Sequence, residues 1–244
     1  LLGRCFHIAG HDVYTSASVG IAIAGPDYER PEEILRDADI AMYRAKRVDH
    51  ASYAIFDSDM HQSAVASLKL ETELRRAVDN GDFAVHYQPI VSLETMTVLG
   101  FEALLRWCHP QLGLLGPDSF IRVAEETGLI VPLTWWVLRE ASAQTRRWQD
   151  RFPAQPALSI SVNVSGKIFA RPDLARRVLS ILEETGLDPH SLQLEITETV
   201  LMDHGDAAVA GLRELRDRGV QLHLDDFGTG YSSLSYLQMF SYDT

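Results

Sequence analysis

The stretch VQLHLDDFGTGYSSL, residues 220–234, alternates apolar and polar side chains and then ends in two carboxylates and a glycine-rich turn. Val220, Leu222 and Leu224 fall on one side of an extended chain, and Gln221, His223 and Asp225 on the other, because successive strand side chains point to opposite faces. The apolar side can pack against helices. The polar side must then line the inside of a curved sheet. Asp225 and Asp226 add a second problem, since adjacent like charges repel and desolvating them costs several kcal/mol each. A divalent cation is the simplest compensation.

The same two-faced pattern recurs upstream. In LSISVNVS (158–165), Ile160, Val162 and Val164 oppose Ser159, Ser161, Asn163 and Ser165. In LQLEITE (192–198), Leu192, Leu194 and Ile196 oppose Gln193, Glu195 and Thr197. In FEALLRW (101–107), Glu102, Leu104 and Arg106 share a side. With FAVHYQPIV (83–91), these make five strands, and amphipathic helices are predicted near 117–127, 133–150, 173–185 and 206–218. Repeated strand–helix units predict a parallel sheet with helices outside. A barrel interior is normally filled by branched apolar residues. Here it would hold Glu102, Asn163, Glu195 and Asp225, an oxygen-ligand set that suits Mg2+ or Mn2+ far better than zinc. One carboxylate of the Asp225–Asp226 pair could bridge two such ions, the usual device for attack on a phosphodiester.

The first part reads differently. YTSASVGIAIAG (14–25) is β-rich, RPEEILRDADIAMYRAK (30–46) is an amphipathic helix with Ile34, Leu35, Ala38, Ala41, Met42 and Ala45 as its stripe, and YAIFD (53–57) is a short strand. A second helix is predicted over 67–82, closed at Asn80-Gly81. The domain boundary is expected near 58–67.

Bulk properties narrow the function. The chain has 244 residues, 46% hydrophobic and 23% charged, which is ordinary globular composition. Its net charge of −12 argues against DNA or RNA as a partner, because there is no basic surplus to release counterions. Two distant cysteines, Cys5 and Cys108, make neither a disulfide framework nor a zinc set, which points to a reducing compartment. No apolar run reaches the length of a membrane helix. The chain begins with Leu within structured sequence, and is expected to be a fragment.

YQPIV, EALLRW, SVNVS, LEITET and DDFGTGYSSLSYL, in this order, resemble the EAL-domain phosphodiesterases that cleave bacterial cyclic di-GMP, from about Leu68 onward. SASVGIAIA with ADIAMYRAK resembles the C-terminal end of a GGDEF diguanylate cyclase domain. The resemblance implies residues 1–59 as the end of a GGDEF domain, 60–67 as a linker, and 68–244 as an EAL domain, an incomplete (β/α)8 TIM-like barrel lacking its last strands. It implies Glu102, Asn163, Glu195, Asp225 and Asp226 as ligands of a two-metal Mg2+ or Mn2+ site, with Glu102, Asp225 and Asp226 catalytic. Arg106 would contact a substrate phosphate, Leu105 would line the nucleotide pocket, and Gln88 would touch substrate. The implied reaction opens cyclic di-GMP to linear pGpG. The family's Leu-Lys-Ile-Asp segment would follow Thr244, so the fragment is expected to be inactive. The resemblance also implies a bacterial cytoplasmic protein, a homodimer coupled through FGTGYSSL (227–234), and a missing, possibly membrane-bound N-terminal sensor. The alternatives are a degenerate nucleotide-sensing module, or a net cyclase acting through an upstream GGDEF loop. Other residues have plainer readings: His223 as interior packing, Glu198 as a neighbour of a helix N-cap, Trp135, Trp136 and Trp148 as core, and Cys108 as a small buried residue.

Overall fold

The computed structural model describes residues 5–8, 11–13, 16–26, 28–48, 53–153, 156–169, 171–197 and 211–225. It divides into two compact units, residues 1–72 and 73–244.

In the first unit, β1 (Phe6–Ile8) and β2 (His11–Val13) form an antiparallel pair. β3 (Val19–Ile21) pairs in parallel with β4 (Tyr53–Ile55), and α1 (Pro31–Val48) is the crossover between them. Of the expected strand over 14–25, only β3 is extended among the described residues. Glu33 fixes the start of α1, its Oε2 accepting from the N–H groups of Glu29 at 3.1 Å and Arg30 at 3.3 Å, which satisfies donors a helix start leaves open. Gly20 lets α1 lie against β3, because a Cβ there would run into the Ala38 carbonyl and the Met42 amide. Ala41 and Ala45 are buried beneath that contact, but Leu35 is 69% exposed. The buried stripe excludes it and takes in Asp37 instead, whose carboxylate accepts from Arg36 Nε at 3.0 Å.

α2 (Ser58–Asn80) begins nine residues before the expected 67, so the segment expected as a linker is helical. In the second unit Leu74 and Ala77 of α2 are buried. β5 (Phe83–Val91) and β6 (Val98–His109) follow, then β7 (Gly113–Leu115), α3 (Ile121–Thr127), α4 (Ile130–Arg151), β8 (Ser159–Asn163), α5 (Gly166–Phe169), α6 (Leu174–Thr185), β9 (Leu192–Thr197), a helical segment at 211–217, and β10 (Gln221–Asp225). The sheet order is β10-β9-β8-β6-β5, with β7 also on β6. β6, β8, β9 and β10 are mutually parallel. β5 is antiparallel to β6, which corrects the all-parallel expectation. The cause is local. Ser92 N–H donates to the Thr97 carbonyl at 2.9 Å and Met96 N–H to the Ser92 carbonyl at 2.8 Å, closing a tight turn, and a short turn can join only antiparallel strands.

The helix-facing side of the sheet carries the core. Ile160, Val162, Leu192, Leu194 and Ile196 are almost fully buried. Aromatic rings fill the space around β5 and β6: Phe83 stacks on Trp107 at 6.2 Å, Trp107 meets Phe120 at 5.7 Å, and Trp148 packs on both Tyr87 and Phe101. Cys108, read as buried, is exposed, because β6 turns its Trp107 and His109 side chains inward instead.

Candidate active site

Strand register brings the polar face together in rows. In one row Gln88 of β5 stands opposite Glu102 of β6, Glu102 opposite Ser161 of β8, Ser161 opposite Gln193 of β9, and Gln193 opposite Gln221 of β10. In the next row toward the carboxyl ends of the parallel strands, Asn163 stands opposite Glu195, and Glu195 opposite His223.

The first row is tied by side chains. The buried Ser161 Oγ donates to Gln193 Oε1 at 2.7 Å, and Gln193 Nε2 donates to Gln221 Oε1 at 3.1 Å. Two amides and a hydroxyl pair in sequence, so the polar interior carries little desolvation cost. The second row is linked to the first by Asn163, whose Nδ2 donates to Glu102 Oε1 at 2.9 Å. That bond leaves Asn163 Oδ1 as an acceptor beside the carboxylate. Glu102 and Glu195 are half-buried and Asn163 is exposed. Two carboxylates and an amide oxygen at a solvent-reachable strand end have the donor chemistry of a hard-cation site. Among the described residues no three His, Cys, Asp or Glu side chains stand close enough together to hold a metal by themselves. Asp225 is placed by its backbone opposite Thr197, and Asp226 lies outside the described residues.

Arg106 lies on the Glu102 face, half-buried, with Nη1 donating to the Leu105 carbonyl at 2.9 Å. Gln88 is exposed on the same face. Leu105 is not brought there. It is 8% exposed on the opposite side of β6 with Ala103 and Trp107, because it is an odd number of residues from Glu102. Leu104 occupies the Glu102 side of the strand, a placement the alternation of 101–107 already contained. Two further charged residues are Glu125 and Lys167. They lie on the connections that leave the carboxyl ends of β6 and β8. Burial pushes the Glu125 carboxyl above the usual range, Lys167 pulls it down, and Glu126 pushes it up.

The family model for the EAL domain matches residues 71–244, and that for the diguanylate cyclase GGDEF domain matches residues 2–51. The chain is 42% identical over 237 residues to the bifunctional diguanylate cyclase/cyclic di-GMP phosphodiesterase MucR of Pseudomonas aeruginosa, covering 97% of this chain and 34% of MucR. It is 38% identical over 238 residues to the cyclic di-GMP phosphodiesterase PdeR of Escherichia coli, covering 98% of this chain and 35% of PdeR. This chain therefore spans about a third of the length of these curated relatives. Among solved structures, the PaMucR phosphodiesterase in complex with c-di-GMP superposes with a TM-score of 0.67 at 42% identity, covering 71% of this chain and 70% of that one.

Proposed function

From the premise that this chain belongs to the EAL domain family, we propose that the protein is a metal-dependent cyclic di-GMP phosphodiesterase that hydrolyses one phosphodiester to give linear pGpG. The observation that carries this reading is the bond between Asn163 and Glu102, set in register beside Glu195. It gathers oxygen donors from three strands toward the carboxyl face of a parallel sheet, where sheets of this class bind their ligands. MucR and PdeR, named as cyclic di-GMP phosphodiesterases, support the substrate.

In this reading Glu102, Asn163 and Glu195, with Asp225 and Asp226, hold one or two Mg2+ or Mn2+ ions. Such ions, when bound, supply a lowered pKa for water and charge stabilisation at the phosphoryl oxygens. Asn163 holds Glu102 in one orientation while keeping an oxygen for the cation. Arg106 swings its guanidinium from the Leu105 carbonyl to a phosphate oxygen, for which its planar fork is suited. Gln88, across from Glu102, adds an amide contact to the substrate, and the Ser161–Gln193–Gln221 chain forms a floor that carries no charge. Residues 1–59 are the end of a GGDEF domain, 60–67 connect, and 68–244 form the EAL domain. A cytoplasmic homodimer with an upstream sensor completes the proposal. Among the described residues no helix is long and apolar enough to cross a membrane.

The test is incubation of the natural protein containing this chain with cyclic di-GMP and Mg2+ or Mn2+, followed by product separation. Linear pGpG should form, should not form when EDTA is present from the start, and its rate of formation should fall on the order of 10³-fold in Glu102→Gln. Binding without any turnover would make the domain a sensor and refute hydrolysis.

A further inference from the structure

α6 departs from two local rules at its start. Asp173 holds the N-cap position, where a carboxylate normally accepts a backbone N–H of the first turn, yet its side chain makes no capping bond. Acidic residues suit a first turn, because the amino end of a helix is positive. Here the first turn holds no acid, and Arg176 and Arg177 stand two and three residues into the helix. The Asp173 carboxylate is engaged elsewhere. Its Oδ1 accepts from Arg171 Nε at 2.8 Å and its Oδ2 from Arg171 Nη2 at 3.2 Å. Arg177 Nε lies 3.1 Å from Oδ2, and Arg176 Nη2 lies 4.0 Å from it. The Arg177 guanidinium also stands over the Trp135 ring of α4, 5.3 Å from its centre.

Stability does not account for this arrangement. Exposed ion pairs contribute little, and Arg171, Arg176 and Arg177 are 39%, 81% and 48% exposed. Against them stand a lost cap and two cations at the positive end of a helix, both unfavourable. Departures from local rules of this kind mark functional positions. The electrostatics point the same way. Three guanidinium groups converge on one carboxylate, so a positive surplus persists there in a chain of net charge −12. Asp173 thus organises the cations without neutralising them. At 4.0 Å Arg176 is beyond hydrogen-bond distance, so its donors stay available, and a fork already held in place loses less freedom when it binds. The fan belongs to the helix layer, not to the polar face of the sheet that carries Glu102 and Glu195. Guanidinium forks match carboxylates and phosphates. The chain's negative charge opposes a nucleic acid. A membrane requires a second anchor beside a few cations, and among the described residues of 166–177 no large apolar side chain is exposed. An acidic polypeptide, which presents carboxylates like that of Asp173, is the complementary partner.

We propose that Arg171, Arg176 and Arg177, gathered by Asp173, form a docking surface for an acidic segment of a partner protein. The surface stands independently of the phosphodiesterase reading. The test is equilibrium binding of a fluorescent oligo-glutamate peptide, at low salt, to the natural protein containing this chain. Wild type is compared with Arg176→Gln, with Arg176→Gln/Arg177→Gln, and with Arg218→Gln. Arg218 is exposed, makes no ion pair among the described residues, and lies toward the other end of α6 beside Glu183 and Leu187. Its loss changes the net charge equally without touching the fan. The wild type should bind the peptide, and more weakly as salt rises. Arg176→Gln should weaken binding about threefold and the double variant about tenfold, the scale of exposed charge contacts. Arg218→Gln should stay within about 1.5-fold of wild type. The thermal midpoint of Arg176→Gln should not move, since that side chain is 81% exposed. Cyclic di-GMP in excess should leave the peptide bound. No binding by the wild type, or equal losses in Arg176→Gln and Arg218→Gln, would overturn the proposal. So would displacement of the peptide by cyclic di-GMP, which would assign the arginines to the substrate site. Displacement by inorganic phosphate at matched ionic strength, or tighter binding to phosphatidylglycerol vesicles than to the peptide, would replace the protein partner by a free anion or a membrane.

Discussion

Replacing Asn163 by Asp tests whether the Asn163–Glu102 contact is a cation site in waiting or merely a hydrogen bond. The Nδ2 to Oε1 distance of 2.9 Å would become a contact between two carboxylates. Coulomb's law sets their repulsion at roughly 6 kcal/mol for an effective dielectric of 20 and roughly 1.5 kcal/mol in bulk water. Asn163 is exposed and Glu102 half-buried, so the lower end applies, and adding the lost hydrogen bond gives about 2–3 kcal/mol. The sign with pH follows from the shared proton. Two carboxylates this close raise the pair's folded-state affinity for a proton above that of the unfolded chain. The penalty is therefore absent below the ordinary carboxylate range and grows as pH rises through and above it. Asn163→Ala loses the hydrogen bond alone, about 1 kcal/mol, with no such slope. The assay is thermal unfolding of both variants from pH 4 to 8, in EDTA and in Mg2+ or Mn2+. Asn163→Asp should match Asn163→Ala at pH 4, fall below it by several degrees at pH 8 in EDTA, and regain the difference when the cation is added. Parallel curves for the two variants at every pH, or no recovery with cation, would refute the placement of Glu102 in a metal site.

Two other outcomes depend on packing and burial. Gly100→Ala should lower the thermal midpoint by about 4–10 °C, because its Cβ would overlap the Ser159 carbonyl where β6 crosses β8, and overpacking of about 1–3 kcal/mol in a unit of this size shifts the midpoint on that scale; an unchanged midpoint would show that the two strands can part without cost. Tyr87, whose hydroxyl is buried without a hydrogen-bond partner and whose ring meets Trp148 edge-on, has its phenol pushed up to about 12 by burial and then by Glu140, against Arg147. The unfolded chain loses that proton near its ordinary value, so stability is intact below about pH 10 and declines as pH rises toward 12, by about 1–2 kcal/mol after discounting for partial exposure. Urea unfolding across that window should show the decline in the wild type and a flatter curve in Tyr87→Phe, and equal slopes would place the phenol in water.

Where one face of a strand is buried and the other is not, the sequence declares it. Leu192, Leu194 and Ile196 are buried and Gln193, Glu195 and Thr197 are half-buried, as their alternation requires, and the rows of the site follow from that alternation once register is known. Register and strand direction are less legible. Residues 92–97 contain neither glycine nor proline, so nothing in the sequence marks the reversal that Ser92 and Thr97 close as a tight turn. The early start of α2 escaped because 58–66 has no strong apolar stripe, with Val65 54% exposed. Leu105 was assigned by motif against its own periodicity.

The layering of the polar face explains why the acidic groups sit where they do. A carboxylate at the position of Ser161, the fully buried member of its row, would be too costly to keep charged. Neutral amides there satisfy one another and have no charge to desolvate. Glu195 stands one row further out, where water still reaches, and Asn163 draws Glu102 outward from the amide row to meet it. Glu102 and Glu195 are thereby held half-buried on strands of one sheet. Substituting Gln193 by Leu should accordingly harm the site indirectly. It would leave the buried Ser161 Oγ without a partner, at about 1–3 kcal/mol, and take one donor from the half-buried Gln221 Oε1 at a smaller cost. The loss should appear first as reduced stability and only then as weakened cation binding.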